Sequence, residues 1–316
     1  MKICIVHVFF GEWPSWFTVF LKSCRGTGVD FLIVTDSKNN NFQANNLNFL
    51  YLSMAGFNKK ATIKLGFDIQ IKNAYKLCDL KPCYGKIFED ELTTYEVWGY
   101  CDSDIVLGDL KTFFSDVLME TYDVVSFQRG FPSGAFCCLR NRKDIVNLYT
   151  TVHKYQKKLS YQDYTGFDEN IMRKKYKGIS VVKLVFYIMF IFSKFFLSTI
   201  KFFSIKEFRF QFQWFYKRLM LNSNDIIDFS EAVYNAQRKG QIKCLFRDNM
   251  ISDAYYKRIN KKNWIVKWKN GTLTEDSCNM KMLIFHFRVI KQQESFQVSK
   301  TVSSNFEITK NGIEFK

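Results

Sequence analysis

Residues 97–107 read Val-Trp-Gly-Tyr-Cys-Asp-Ser-Asp-Ile-Val-Leu, an apolar run that ends in two acids one residue apart. A short continuous apolar run of this kind suits a strand buried on both faces, as in a parallel sheet covered by helices. In such sheets ligands bind outside the carboxyl ends of the strands, and Asp102 and Asp104 stand at such an end. Alternate residues there bring two carboxylates within reach of one hard divalent ion, Mg2+ or Mn2+, which keeps open positions for phosphate oxygens. The chemistry that needs this is departure of a phosphorylated leaving group, whose developing charge the ion neutralises. The plain alternative is a polar turn in which both acids cap the next segment.

Working outward, Ile3–Phe10 and Phe31–Thr35 are further apolar runs of strand length. The amphipathic stretch Trp16–Cys24 lies between them. Strand, helix, strand is the opening unit of a parallel sheet. Phe49–Leu52, Val124–Phe127 and Ala135–Arg140 read as later strands. Ala61–Tyr84 has helical spacing, with a new turn starting at Pro82. Residues 221–290 are mixed and end in the strand-like Met282–Phe287, and the polar last 25 residues hold a hairpin signal at Asn311-Gly312. Lys2 and the run behind it imitate a signal peptide. They lack a small-residue cleavage site and run into Gly11-Glu12-Trp13-Pro14, so the reading is a first strand and its loop.

The chain has 316 residues, 47% of them hydrophobic, which supports a large core and excludes a disordered chain. Its net charge of +16 is unevenly placed. Residues 1–170 hold 19 basic and 19 acidic residues, whereas residues 171–220 hold 11 basic residues, one acid (Glu207) and 15 aromatics. A nucleic-acid coat would spread its charge; a segment both basic and greasy points to an anionic membrane surface. Within 181–204 the longest uncharged run is Leu184–Ser193, too short to span a bilayer. At helical spacing Lys183, Lys194 and Lys201 form one stripe, the pattern of a helix lying in the interface. The plain alternative is a buried helix with its lysines at the rim. Nine cysteines contain no Cys-x-x-Cys pair, so neither a zinc site nor a disulfide framework follows, and reduced thiols in a cytosolic protein are the reading.

KLCDLKPCYGKIF at 76–88 followed by WGYCDSDIVLGDL at 98–110 resembles a family of bacterial glycosyltransferases of surface-polysaccharide (capsule or O-antigen) synthesis. The resemblance continues through FFGEWPSWFTVFLKSC at 9–24, VTD at 34–36, SGAFCCLRN at 133–141, FDEN at 167–170 and IFHFRVIK at 284–291. It covers about 1–180 and 280–291. It implies an α/β, type A glycosyltransferase fold, Rossmann-like with a mostly parallel sheet, here carrying a helical membrane-associating insertion. The implied divisions are a nucleotide-sugar-binding domain at 1–180, the insertion at 181–220, the rest of the catalytic domain at 221–291 and a tail at 292–316.

The resemblance also implies roles. Asp104 would ligate Mn2+ or Mg2+ directly, Asp102 would share the metal or contact the ribose, and His286 would be a further ligand. Lys291 would meet the diphosphate, Asp36 the nucleoside, and Asp79 and Lys81 the donor sugar and its phosphates. Ser133-Gly134 would let backbone approach a sugar. Asp168 and Glu169 would face acceptor or donor hydroxyls, one of them being the natural base if the enzyme inverts. Each has a plain structural alternative: caps or turns for Asp36, Ser133, Asp168 and Glu169, exposed helix positions for Asp79 and Lys81, and a core position for His286. The expectation is a hexosyltransferase-class enzyme moving a sugar from a nucleotide sugar, most readily a UDP-sugar, to a lipid-linked oligosaccharide. The His-plus-Lys ending resembles retaining enzymes. It would sit peripherally at the inner face of the cytoplasmic membrane, with no nucleic-acid partner. A single membrane crossing within 181–220 would part His286 from Asp102. The other class consistent with the residues is a non-catalytic membrane-surface protein that binds a nucleotide or glycan.

Overall fold

Six apolar residues and His7 make β1 (Ile3–Phe9) a strand with almost no exposed surface, and its place in the sheet is the reason. In the computed structural model it runs between β2 (Asp30–Thr35) and β4 (Val97–Cys101), parallel to both. The structure describes residues 1–38, 42–114, 116–128, 131–169, 226–247, 250–259, 263–276, 280–299 and 305–316. The chain divides into a unit of Met1–Glu169 with Ile227–Lys316 and a second unit, Asn170–Ile226. The basic aromatic stretch 181–220 falls outside the described residues.

Outside β2 the sheet adds β3 (Leu47–Tyr51) in parallel. On the other side β7 (Phe136–Arg140) runs antiparallel to β4, β6 (Val124–Ser126) antiparallel to β7, and β8 (Cys244–Phe246) parallel to β6. The order is β3-β2-β1-β4-β7-β6-β8, so the α/β class with a mostly parallel central sheet is the one the chain forms. Helix α1 (Phe17–Cys24) returns the chain from β1 to β2 and buries Phe17, Val19, Phe20, Leu21 and Cys24. That placement follows from its one apolar stripe.

The helical spacing over Ala61–Tyr84 resolves differently. Helix α2 spans Met54–Leu65, started by Ser53, whose hydroxyl accepts from the Gly56 N–H. It stops because Gly66 adopts φ +78°, the left-handed conformation that closes helices. Residues 67–73 then run without helix, pinned where Ile69 N–H donates to the Thr62 hydroxyl and Ile71 N–H to Asn58. Only at Ala74–Ile87 do short helical turns resume, one of them opening at Lys81-Pro82. There Trp98 of β4 is fully buried against Gly85, where an added Cβ would lie 2.4 Å from the indole.

The run Met282–Phe287 is likewise two strands. β12 (Met280–Met282) joins a six-stranded sheet with β10 (Val266–Lys269), β11 (Thr272–Glu275), β14 (Gln297–Val298), β15 (Phe306–Thr309) and β16 (Gly312–Phe315). β13 (Ile284–His286) instead lies between β5 (Ile105–Leu107), antiparallel, and β9 (Met250–Ser252), parallel. The chain changes sheets at Leu283, whose carbonyl accepts from Gly108 N–H at 2.8 Å. β15 and β16 form the hairpin that Asn311-Gly312 signals. Among the described residues no helix is long and apolar enough to cross a membrane, and eight cysteines are free.

Candidate active site

β4 ends at Cys101, whose carbonyl holds the imidazole of His7 at 3.0 Å. Burial, partly offset by that bond, pushes the His7 pKa down to about 4, so this histidine is a neutral tie between β1 and β4. The next residue, Asp102, donates its N–H to the Ala135 carbonyl at 3.0 Å, which fixes the backbone as it leaves the sheet. Asp104 follows at the entry to β5. Because β5 pairs antiparallel with β13, His286 lies opposite Ile105, and the Phe287 N–H donates to the Asp104 carbonyl at 3.0 Å. A histidine 182 positions along the chain thereby comes within 3.2 Å of Asp104 Oδ2.

Asp102, Asp104 and His286 each offer one ligand atom, and these atoms lie within 4.8 Å of one another. Two carboxylate oxygens and one imidazole nitrogen suit Mn2+ or Mg2+, with Mn2+ the more tolerant of nitrogen. The donor set therefore fits the ion that the sequence implies.

Two lysines stand beside the carboxylates. Lys81 donates to Asp102 Oδ1 and, at 2.8 Å, to the Gly134 carbonyl. Lys291 reaches Asp104 Oδ2 at 2.7 Å and lies 5.4 Å from the ring centroid of Trp16. Burial opposes the charge on Lys81, but Asp102, Cys78 and Asp168 together outweigh it and hold the ammonium well above the ordinary lysine range. Burial likewise opposes ionisation of Asp104, yet His286 and Lys291 hold its carboxyl well below the usual carboxylate range. The four groups carry two negative and two positive charges, an arrangement that is neutral and adjustable when a cation and an anion enter together.

Asp168 and Glu169 approach the same floor. The Gly134 N–H donates to Glu169 Oε2 at 2.9 Å, and the Tyr164 hydroxyl donates to Asp168 Oδ1 at 3.0 Å. A Cβ on Gly134 would sit 3.0 Å from Asp168 Oδ2, so the close approach that glycine permits is used by these carboxylates. Burial, then the charge of Glu169, pushes Asp168 well above the ordinary carboxylate range, and burial also raises Glu169.

Three residues singled out in the sequence stand elsewhere. Asp79 is fully buried, and its oxygens are taken by Lys76, the backbone N–H and hydroxyl of Thr165, and the Phe167 N–H, at 2.7–2.9 Å. Through these bonds Asp79 ties down the segment that carries Asp168. Ser133 is buried in its own turn, its hydroxyl accepting from Ala135 N–H. Asp36 is exposed just past β2 and accepts the Gly11 N–H at 2.8 Å.

Sequence reasoning missed Trp16, Tyr164 and Asp253. Asp253 is buried, and its Oδ2 accepts from the Val289 and Ile290 N–H groups at 2.8 and 2.7 Å. In the sequence it reads as an ordinary acid at a helix start, and nothing local marks its partner 36 residues away. Lys76 had a signal, the three-residue spacing to Asp79, which pairs side chains on one helix face.

No curated protein matches the sequence. Among solved structures, the galactosyltransferase LgtC in complex with donor and acceptor sugar analogs is 11% identical, with 90% of this chain and 87% of that chain aligned at a TM-score of 0.36. Mouse xyloside xylosyltransferase 1 is 7% identical over 92% of this chain and 98% of its own, at 0.40. The glycosyltransferase GlyE of Streptococcus pneumoniae TIGR4 is 12% identical over 77% and 64%, at 0.32. At such TM-scores these likenesses decide nothing about the site, which stands on its own geometry. Residues 5–316 match the family of unknown function DUF6625, and the chain belongs to that family.

Proposed function

We propose that the chain is a metal-dependent glycosyltransferase that moves a sugar from a nucleotide sugar, a UDP-sugar in first place, to a lipid-linked oligosaccharide in surface-polysaccharide synthesis. The observation that carries this reading is the convergence of Asp102, Asp104 and His286 within 4.8 Å, with Lys81 and Lys291 bonded to the two carboxylates. A divalent ion held by those three side chains supplies, when bound, positive charge for a departing nucleoside diphosphate. Lys81 and Lys291 add two fixed cations beside the same carboxylates, which favours an anionic diphosphate over a neutral sugar. Asp168 and Glu169, held against Gly134, offer hydrogen-bond partners for sugar hydroxyls. A carboxyl with a raised pKa exchanges its proton nearer neutrality, as acid–base work requires. Retention is the proposed outcome, because the His-plus-Lys ending resembles retaining enzymes. The basic aromatic stretch 171–220 supports a seat on the anionic inner face of the cytoplasmic membrane, where lipid-linked acceptors lie.

The test is release of nucleotide from a panel of UDP-, GDP- and CMP-sugars by the full chain, with and without Mn2+. Activity with one donor, dependent on Mn2+ and reduced at least about 100-fold in Asp104→Asn, is the expected result. Equal behaviour of wild type and variant across the panel overturns the reading.

A further inference from the structure

We propose that Asp253 is a positioning residue that sets Lys291 against Asp104. The proposal rests on the reading of Lys291 as a diphosphate-binding lysine. Asp253 touches none of the three ligand side chains in any bond described above. Its position explains the choice of residue. It immediately follows β9, which runs parallel to β13 with Ser252 opposite His286. One carboxylate at the end of β9 therefore faces the turn by which the chain leaves β13. Asp253 Oδ2 accepts two successive backbone N–H groups of that turn, from Val289 and Ile290, and the Ser252 hydroxyl donates to its Oδ1 at 3.2 Å. Lys291 is the next residue, in the helical turn Ile290–Gln292.

The consequence is geometric. His286 and Lys291 both meet Asp104 Oδ2, at 3.2 and 2.7 Å, from two ends of a six-residue span. β-pairing with β5 fixes the His286 end. The Lys291 end has no strand to hold it, and the two charge-assisted bonds to Asp253 take that place. A lysine is a compact charge on a flexible stem. Its use at a chosen oxygen depends on where its Cα is held, and Asp253 holds the two residues before it. The Trp16 ring limits the ammonium from another side. Asp253 does not meet reacting atoms on this account; it acts through Lys291.

The separating measurement is a double-mutant cycle on UDP affinity, by titration calorimetry of the full chain in Mn2+. Asp253→Ala is expected to weaken UDP roughly tenfold or more, the usual size for residues that orient a ligand-binding group. In a Lys291→Met background the same change is expected to cost almost nothing, because the lysine it positions is gone. Asp253→Asn keeps one carbonyl oxygen for the two N–H groups and should restore most of the affinity. A general loss of stability would instead lower affinity equally in both backgrounds. Should Asp253→Ala not fold, Asp253→Ser, whose shorter stem draws its oxygen back from the two N–H groups, carries the test through hydrogen exchange: faster exchange at the Val289 and Ile290 amides together with a proportionate loss of UDP affinity supports the role. Wild-type UDP affinity in a folded Asp253→Ala chain, an equal cost in both backgrounds, or faster exchange without loss of affinity overturns it while leaving the transferase reading in place. If wild type and Lys291→Met bind UDP equally, or neither binds, the reading of Lys291 fails, and the role of Asp253 fails with it.

Discussion

Asp168 is a carboxyl that the fold keeps away from water and beside a second acid. Both effects favour its protonated form. The sign for stability follows. A carboxyl whose folded pKa is raised binds its proton more tightly folded than unfolded, so its contribution is fully present below the unfolded value of about 4. It is lost as pH rises from there toward the folded pKa. Each pH unit in that window costs at most about 1.4 kcal/mol per proton. Asp168→Asn should therefore flatten the decline in urea-unfolding free energy between pH 5 and 8, and an unchanged slope would count against the raised pKa. Asp104 has the opposite sign. His286 and Lys291 lower its pKa against the effect of burial, so what it contributes is present above the unfolded value and disappears in acid.

The turns at Ala74–Ile87 form the element on which both loops of the site depend. Lys76 and Asp79, fully buried, bond each other at 2.8 Å, and Lys76 also donates to the Lys158 carbonyl. Asp79 takes the backbone of Thr165 and Phe167, while Lys81 on the next turn reaches Asp102 and Gly134. One short stretch thus links Asp102, the acidic pair and the intervening chain. Removing one partner of a buried pair costs about 3–5 kcal/mol, because the other charge is left uncompensated. Asp79→Ala should lower the free energy of urea unfolding by that amount, and Asp79→Leu with Lys76→Met should recover much of it. Limited proteolysis would then show cleavage within 161–169 in Asp79→Ala but not in wild type. Absence of new cleavage would mean that the segment is held by other contacts.

At the scale of the whole molecule, charge is divided. Residues 1–170 are neutral overall, while 171–220 carry ten positive charges in excess. On the membrane reading, the full chain should sediment with vesicles containing anionic lipid and not with neutral phosphatidylcholine vesicles. Salt at about 0.5 M should release a large part, since surface attraction falls off within a Debye length. Equal binding to both kinds of vesicle would remove charge as the cause.

The residues themselves determine more about chemistry than about placement. The apolar run into Asp102-Ser103-Asp104 makes β4 a buried strand with two acids at its end, because continuous hydrophobicity has no other stable use in an α/β sheet. The run at Ile3–Phe9 and the stripe on Trp16–Cys24 set the first turns of that sheet in the same way. Such local patterns are legible because each depends on near neighbours. Gly66 already defeats one of them, ending a helix that periodicity carries past it. Long-range partners leave no local trace. His286 meets Asp104 only through the β5–β13 register, Asp79 meets Thr165 from 86 positions away along the chain, and Asp253 finds the turn before Lys291. An acid has the same sequence signature whether it caps backbone N–H groups, pairs with a lysine or meets a metal. Burial and partner decide among these, and both are properties of the folded chain alone.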